Sequence, residues 1–121
     1  MALKLSTQNT LVLNGFTMTV ADSVDGLAYV ADASGNLTVA PDGTKAVFYL
    51  TKRAKVGDKV AVIAIGEVIA KASGAIAVGG PCTPDANGKM KAATIGTDQV
   101  VGWARQATTN DGDIFTMVKV A

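Results

Sequence analysis

The sequence contains no histidine, and Cys82 is its only cysteine. Without imidazole the commonest general base and the commonest metal ligand are missing. Ordinary zinc sites and Ser–His–Asp or Cys–His nucleophilic sites are therefore excluded. A lone thiol cannot close an intrachain disulfide, so a reducing cytoplasm is acceptable. Aromatic residues make up 5% and charged residues 17% of the 121 positions, and Glu67 is the sole glutamate. Lys plus Arg number 11 against 10 Asp plus Glu, a net charge of +1. So small a charge neutralises few phosphates, and no nucleic-acid partner is expected. Apolar runs last only a few residues, far short of the ~20 that a membrane-crossing helix needs, and no membrane partner is expected. The first ten residues lack the apolar core of a secretory signal.

What the chain does have is apolar content, 49%, and 13 glycines. A folded chain of 12.3 kDa exposes roughly 6,000 of the roughly 18,000 Å² that it exposes unfolded, enough burial for one domain and not for two. The expected organisation is an extended N-terminal arm over 1–10 and a single β domain over 11–121. Glycine, Asp and Asn punctuate the chain at the 8–12-residue spacing of all-β domains. The segments between them predict strands over Thr10–Val20 (interrupted at Asn14-Gly15), Leu27–Asp32, Asn36–Ala40, Lys45–Thr51, Lys59–Ile65, Glu67–Lys71, Lys89–Ala93, Gln99–Gln106 and Asp113–Val120. Asp32-Ala-Ser-Gly-Asn36 and Pro41-Asp-Gly-Thr44 read as turns, and Asn87-Gly88 suits a tight hairpin. Ala70–Val78 is Ala-rich but broken by Ser73-Gly74, which allows one short helical turn at most. The fold class is all-β: a small β-barrel or sandwich with short hairpins.

Alternation sharpens this. In the last strand Ile114, Thr116, Val118 and Val120 share one face, and Phe115, Met117 and Lys119 the other. In Lys59–Ile65 both faces are apolar, as in strands buried on both sides by a packed barrel or a subunit interface. A short chain has little cover of its own, so a homo-oligomer is expected, a trimer favoured over a dimer. Val56-Gly57-Asp58 and Asp111-Gly112-Asp113 both lead into apolar strands, and they read as equivalent strand entries in one barrel, with Asp bonding nearby backbone N–H groups.

Several segments in order carry a resemblance. They are Gly57-Asp58-Lys-Val-Ala-Val62, the run Gly66–Pro81 with its Ala-Ser-Gly-Ala-Ile-Ala element, Asp85-Ala-Asn-Gly-Lys-Met90, Val101-Gly-Trp-Ala-Arg-Gln106, and Gly112-Asp113-Ile-Phe-Thr-Met-Val118. Each is a turn with ordinary neighbours, but the ordered series, a little over half the chain, resembles the tailed-phage capsid cement, or head decoration, family. Trp103 stands where that pattern has a smaller aliphatic residue. The resemblance implies a mostly-β virion protein, without catalysis or cofactor, made in the host cytoplasm. It would sit as an oligomer on the outside of an expanded head, with the major capsid protein as partner. A self-assembling phage fibre, tail or surface-array protein is the alternative, because it shares the composition.

Candidate contacts follow. The arm, with Leu3, Lys4, Leu5, Ser6, Thr7 and Asn9, is extended and polar with two apolar teeth, suited to adding a strand to a neighbour's sheet edge. The basic run Lys52, Arg53 and Lys55, continued by Lys59, reads as a solvated loop, as a contact for an acidic protein surface or as a nucleic-acid contact; without interleaved aromatics it is poorly suited to single strands. It is expected to contact the capsid. Trp103, Phe115 and Met117 are candidate subunit-interface or core anchors. Cys82, with no His or cation close in sequence, reads as a small hydrophobe. Asn110, Asp111 and Asp113 read as a turn cap, since the twelve-residue calcium-loop pattern is missing. Asp58 and Glu67 lack the aromatic-lined cleft of a glycosidase, and Gly79-Gly80 lacks the Gly-Lys-Ser/Thr of a phosphate cradle. No catalytic or metal residue is expected.

Overall fold

The computed structural model describes residues 10–19, 26–41, 47–52, 54–85 and 87–120. Nine strands run through them: β1 (Leu11–Met18), β2 (Tyr29–Ala31), β3 (Asn36–Val39), β4 (Tyr49–Leu50), β5 (Lys59–Ser73), β6 (Pro81–Pro84), β7 (Met90–Ala92), β8 (Gly102–Ala104) and β9 (Asp111–Lys119). No helix occurs among the described residues, and the protein is all-β.

The fold is organised by β5, whose 15 residues serve two strand systems in turn. Its first half pairs antiparallel with β1, from Thr17↔Lys59 to Leu11↔Ile65, and with β4 through Tyr49↔Ile63 and Leu50↔Val62. β1 runs parallel to β3, which pairs with β2, and a Tyr29↔Phe48 bridge ties β2 back toward β4. The second half pairs antiparallel with β9, from Gly66↔Lys119 to Ser73↔Asp111, and parallel with β7 at Ala72↔Met90. β7, β6, β8 and β9 then pair antiparallel in that order. Because β9 returns to β5, these five strands close a small barrel, and the remaining strands extend from it.

Alternation holds along the whole of β5. Val60, Val62, Ala64, Val68, Ala70 and Ala72 point inward and are buried, while Ile65, Glu67 and Ile69 point out. Val68, Ala70 and Ala72 join Ile76, Cys82, Met90, Val101, Ala104, Phe115 and Met117 in one core. Val60 and Val62 join Met18, Tyr29 and Leu37 in the other. The expected burial of Lys59–Ile65 on both faces holds in part: on the opposite side Ala61 and Ile63 are half-covered, Ile63 against the first core, and Ile65 is exposed.

Other expectations also shift. The predicted strands Lys59–Ile65 and Glu67–Lys71 are one, because pairing passes from β1 to β9 at Gly66 without a turn. Pro81–Pro84, not predicted as a strand, forms β6; its prolines occupy only the two end positions, where a missing N–H costs least. The region allowed a helical turn instead finishes β5, bends at Gly74 and bridges Ile76 to Thr108. The Asn14-Gly15 interruption is a shift in register between Leu13 and Phe16 inside β1, as a β-bulge produces. Residues 42–46, with most of the Pro41–Thr44 turn and the start of the Lys45–Thr51 segment, lie outside the described residues.

The turns follow from side-chain chemistry. Asp32 Oδ1 accepts from the N–H groups of Ser34 (2.8 Å) and Asn36 (3.0 Å), which holds the β2–β3 hairpin and lowers the Asp32 pKa, the Asn36 N–H first. Asp85 Oδ1 holds the β6–β7 hairpin by accepting from the N–H groups of Asn87 and Lys89. The two Gly-Asp entries share one geometry. Asp58 Oδ2 accepts from Lys55 N–H at 2.8 Å and Asp113 Oδ2 from Asn110 N–H at 2.9 Å. Each Asp N–H returns a bond to the same residue's carbonyl, and each is preceded by a glycine near φ +90° (Gly57 at 89°, Gly112 at 90°). They are equivalent entries, but they do not serve one barrel: the first leads into the part of β5 paired with β1, the second into a barrel strand.

Candidate functional site

The described chain begins at a junction. β1 covers β5 as far as Ile65, and β9 takes over at Gly66. A Cβ added at Gly66 would meet Thr10 Oγ1 at 3.0 Å and Thr10 Cα at 3.1 Å. Thr10 therefore lies over Gly66, at the middle of β5 and beside the end of β9. Leu3, Lys4, Leu5, Ser6, Thr7 and Asn9 lie outside the described residues. Of the basic run, Lys52 and Lys55 are exposed in the β4–β5 connection, and Arg53 lies outside the described residues. Lys59, at the start of β5, donates from Nζ to Thr17 Oγ1 at 2.8 Å.

The three anchors divide. Phe115 and Met117 point inward from β9 and are fully packed in the core. Trp103 points outward from β8 and remains 39% exposed. Around it lies an outer face made by three adjacent strands. One row reads Glu67–Val118–Trp103 across β5, β9 and β8. The next places Ile69 opposite Thr116, with Arg105 N–H bonded to the Thr116 carbonyl. The third places Lys71 opposite Ile114. Ile69 and Ile114 are each more than half exposed. The Arg105 guanidinium and the Glu67 carboxylate form an ion pair across this face.

Sequence reasoning separated the two faces of the last strand correctly as sets, but nothing in it named Ile69 or Ile114 as surface residues. Side-chain volume was the available signal. Phe115 and Met117 fill a barrel interior better than Thr116 and Val118, so the bulkier set turns in and takes Lys119 with it.

Inside, the polar groups are few. Lys119 is buried at the mouth of the barrel, and its Nζ donates to the Ala64 carbonyl at 2.5 Å. Burial pushes its pKa down to about 8. The Cys82 thiol is buried and raised to about 11, by burial. Tyr49 is raised as well, by burial first and by its proximity to Cys82 second. Among the described residues, no group of three or more Cys, Asp or Glu stands close enough to hold a metal ion.

No protein-family model matches the chain, and no curated protein matches it by sequence. In architecture it is similar to a solved structure described as the crystal structure of the head fiber gp8.5 N base in bacteriophage phi29. The TM-score is 0.66 at 18% sequence identity, over 92% of this chain and 94% of that one. The two share a fold along nearly their whole lengths.

Proposed function

We propose that this chain is a structural component of a bacteriophage virion that binds the outer surface of the expanded head and stabilises it by bridging major-capsid subunits. The observation that carries the reading is the fold shared with a phage head-fibre base across 92% of the chain. The ordered Gly-Asp, Asn-Gly and Val-Gly-x-Ala segments, which resemble head decoration proteins, support it independently. Mechanically, such a protein adds contact area between shell subunits, so that pressure from packaged DNA does not part them. A standard specific contact buries ~1,600 Å², and several weak contacts from one oligomer add through effective concentration. The arm and the exposed Lys52 and Lys55 are the proposed capsid contacts, and no catalytic step is required.

The structural likeness also favours a second reading, in which the chain forms the base of a projecting head fibre. One experiment tests both. Purified protein is mixed with expanded empty heads, sedimented and imaged. Saturable binding with density spread over the shell supports the cement role, and density projecting from isolated points supports the fibre base. Protein left entirely in the supernatant overturns both.

A further inference from the structure

The chain carries two Asn-Gly pairs, Asn14-Gly15 and Asn87-Gly88, which are alike in chemistry and opposite in structural setting. We infer that Asn14 is a site of spontaneous deamidation in the folded protein, and that Asn87 is held unreactive by its hairpin. The inference does not rest on the virion role proposed above.

The reaction needs only solvent water. The backbone nitrogen of the following residue gives up its proton and bonds to the Asn Cγ. The carboxamide C–N bond breaks, and its nitrogen leaves with that proton as ammonia. The five-membered succinimide then takes up one water at either ring carbonyl and opens to aspartate or isoaspartate, with no change of oxidation state. Glycine as the following residue leaves the nitrogen least shielded, because no Cβ stands beside it.

The peptide between the two residues must turn to bring the nitrogen onto Cγ, and here the pairs differ. Asn14 and Gly15 are exposed. Neither has a ladder partner among the described residues, since the register steps from Leu13↔Val62 to Phe16↔Val60 across them. Gly15 sits at φ +91°, and nothing lies within 4 Å of the place its Cβ would take. Rotation there has open space and no paired residue to displace. Asn87 is exposed as well, but its N–H is held by Asp85 Oδ1 at 2.9 Å. Gly88 is buried, and its carbonyl accepts from Ala28 N–H at 2.9 Å. The space at its Cβ is filled by Val39 Cγ1 at 2.8 Å and the Ala28 carbonyl oxygen at 2.9 Å. Turning this peptide costs a hydrogen bond and a packed contact, so Asn87 reaches the reactive geometry only through local opening.

Replacing a carboxamide by a carboxylate takes the formal net charge from +1 to zero, so deamidated chains separate on ion exchange as an acidic species. The full chain is incubated in mildly alkaline buffer, which favours loss of the backbone proton, and in the same buffer with guanidinium chloride. Peptide mass spectrometry follows each site over time, because exchange of ammonia for water raises the mass of the peptide that holds it. In the folded chain Asn14 is expected to convert at least ~tenfold faster than Asn87, the protection that a hydrogen bond and a packed contact confer. In denaturant, where the hairpin is lost, the two are expected to convert at similar rates. Asn14→Gln would have to close a six-membered ring. In that variant, shown to be folded by circular dichroism, the acidic species is expected to disappear over the same period. Equal rates in the folded chain, a faster Asn87 or no native conversion at Asn14 overturns the proposal. So does a preference for Asn14 that persists undiminished in denaturant, or an acidic species that forms at the wild-type rate in folded Asn14→Gln.

Discussion

The ammonium group of Lys119 donates to the carbonyl oxygen of Ala64 at 2.5 Å from a side chain that is almost wholly buried. The contact joins the end of β9 to the midpoint of β5, where β1 gives way to β9. It also places a cation in surroundings that disfavour it, which is why the pKa falls to about 8 from 10.5.

Stability should therefore depend on pH with a definite sign. Between about pH 8 and 10.5 the unfolded chain holds a proton on Lys119 that the folded chain has released, so stability rises with pH across that window. Below it both states are charged and the cost of burial is constant; above it both are neutral. The expected rise is of order 1–3 kcal/mol. Denaturant unfolding of the wild-type chain and of Lys119→Met at both ends of the window checks this: the difference in slope between the two proteins is the contribution of Lys119, and equal slopes would remove the argument.

At Gly66 the backbone has φ +131° and an added Cβ would press on Thr10. Gly66→Ala is expected to lower stability by about 1–3 kcal/mol, from the conformation and the contact together. Because β1 begins beside this point, hydrogen exchange in Leu11 and Val12 should accelerate more than exchange in β6 or β7. Uniform acceleration would mean that Gly66 matters to the whole barrel and not to the start of β1.

Tyr49 Oη and Thr83 Oγ1 are buried and make no hydrogen bond among the described residues. A buried polar atom without a partner opposes folding, whereas an apolar replacement of similar shape is neutral or better. Tyr49→Phe and Thr83→Val are each expected to leave the melting temperature unchanged or raise it by a few degrees. A fall equivalent to more than ~1 kcal/mol in either variant would reveal a hydrogen bond to that hydroxyl.

The parts of this fold legible in sequence are those governed by local chemistry. Asp32, Asp85, Asp58 and Asp113 cap their turns through backbone N–H groups within four residues, so spacing alone locates them. What depends on distant partners was not legible. Gly66 looks like a break, yet the chain continues straight through it because β9 is present to receive the second half of β5. Pro81 and Pro84 discourage a strand locally, yet β7 and β8 flank the segment between them. For the outer face, alternation identified Ile114 and Val118 as sharing a side. Only the packing of Phe115 and Met117 shows that this side faces out, where Trp103 and Ile69 join it from separate strands.

The proposed capsid contact through the first nine residues gives the last prediction. Residues 1–9 precede the described residues, and Thr10, the first of these, lies against Gly66 of β5. Removing residues 1–9 should leave the barrel's circular dichroism and cooperative unfolding intact, since the residues of both described cores begin at Leu13. The same deletion should abolish co-sedimentation with expanded heads, because an extended segment that adds to a neighbour's sheet contributes main-chain hydrogen bonds that no barrel side chain replaces. Lys52→Glu with Lys55→Glu should act differently. Exposed charges tune encounter and are screened by salt, so binding should weaken at low ionic strength and converge with wild type at high. Wild-type binding by the deleted chain would transfer the capsid contact from the arm to the barrel. A salt-independent loss in the double charge variant would mean that these lysines make a buried contact and do not merely steer.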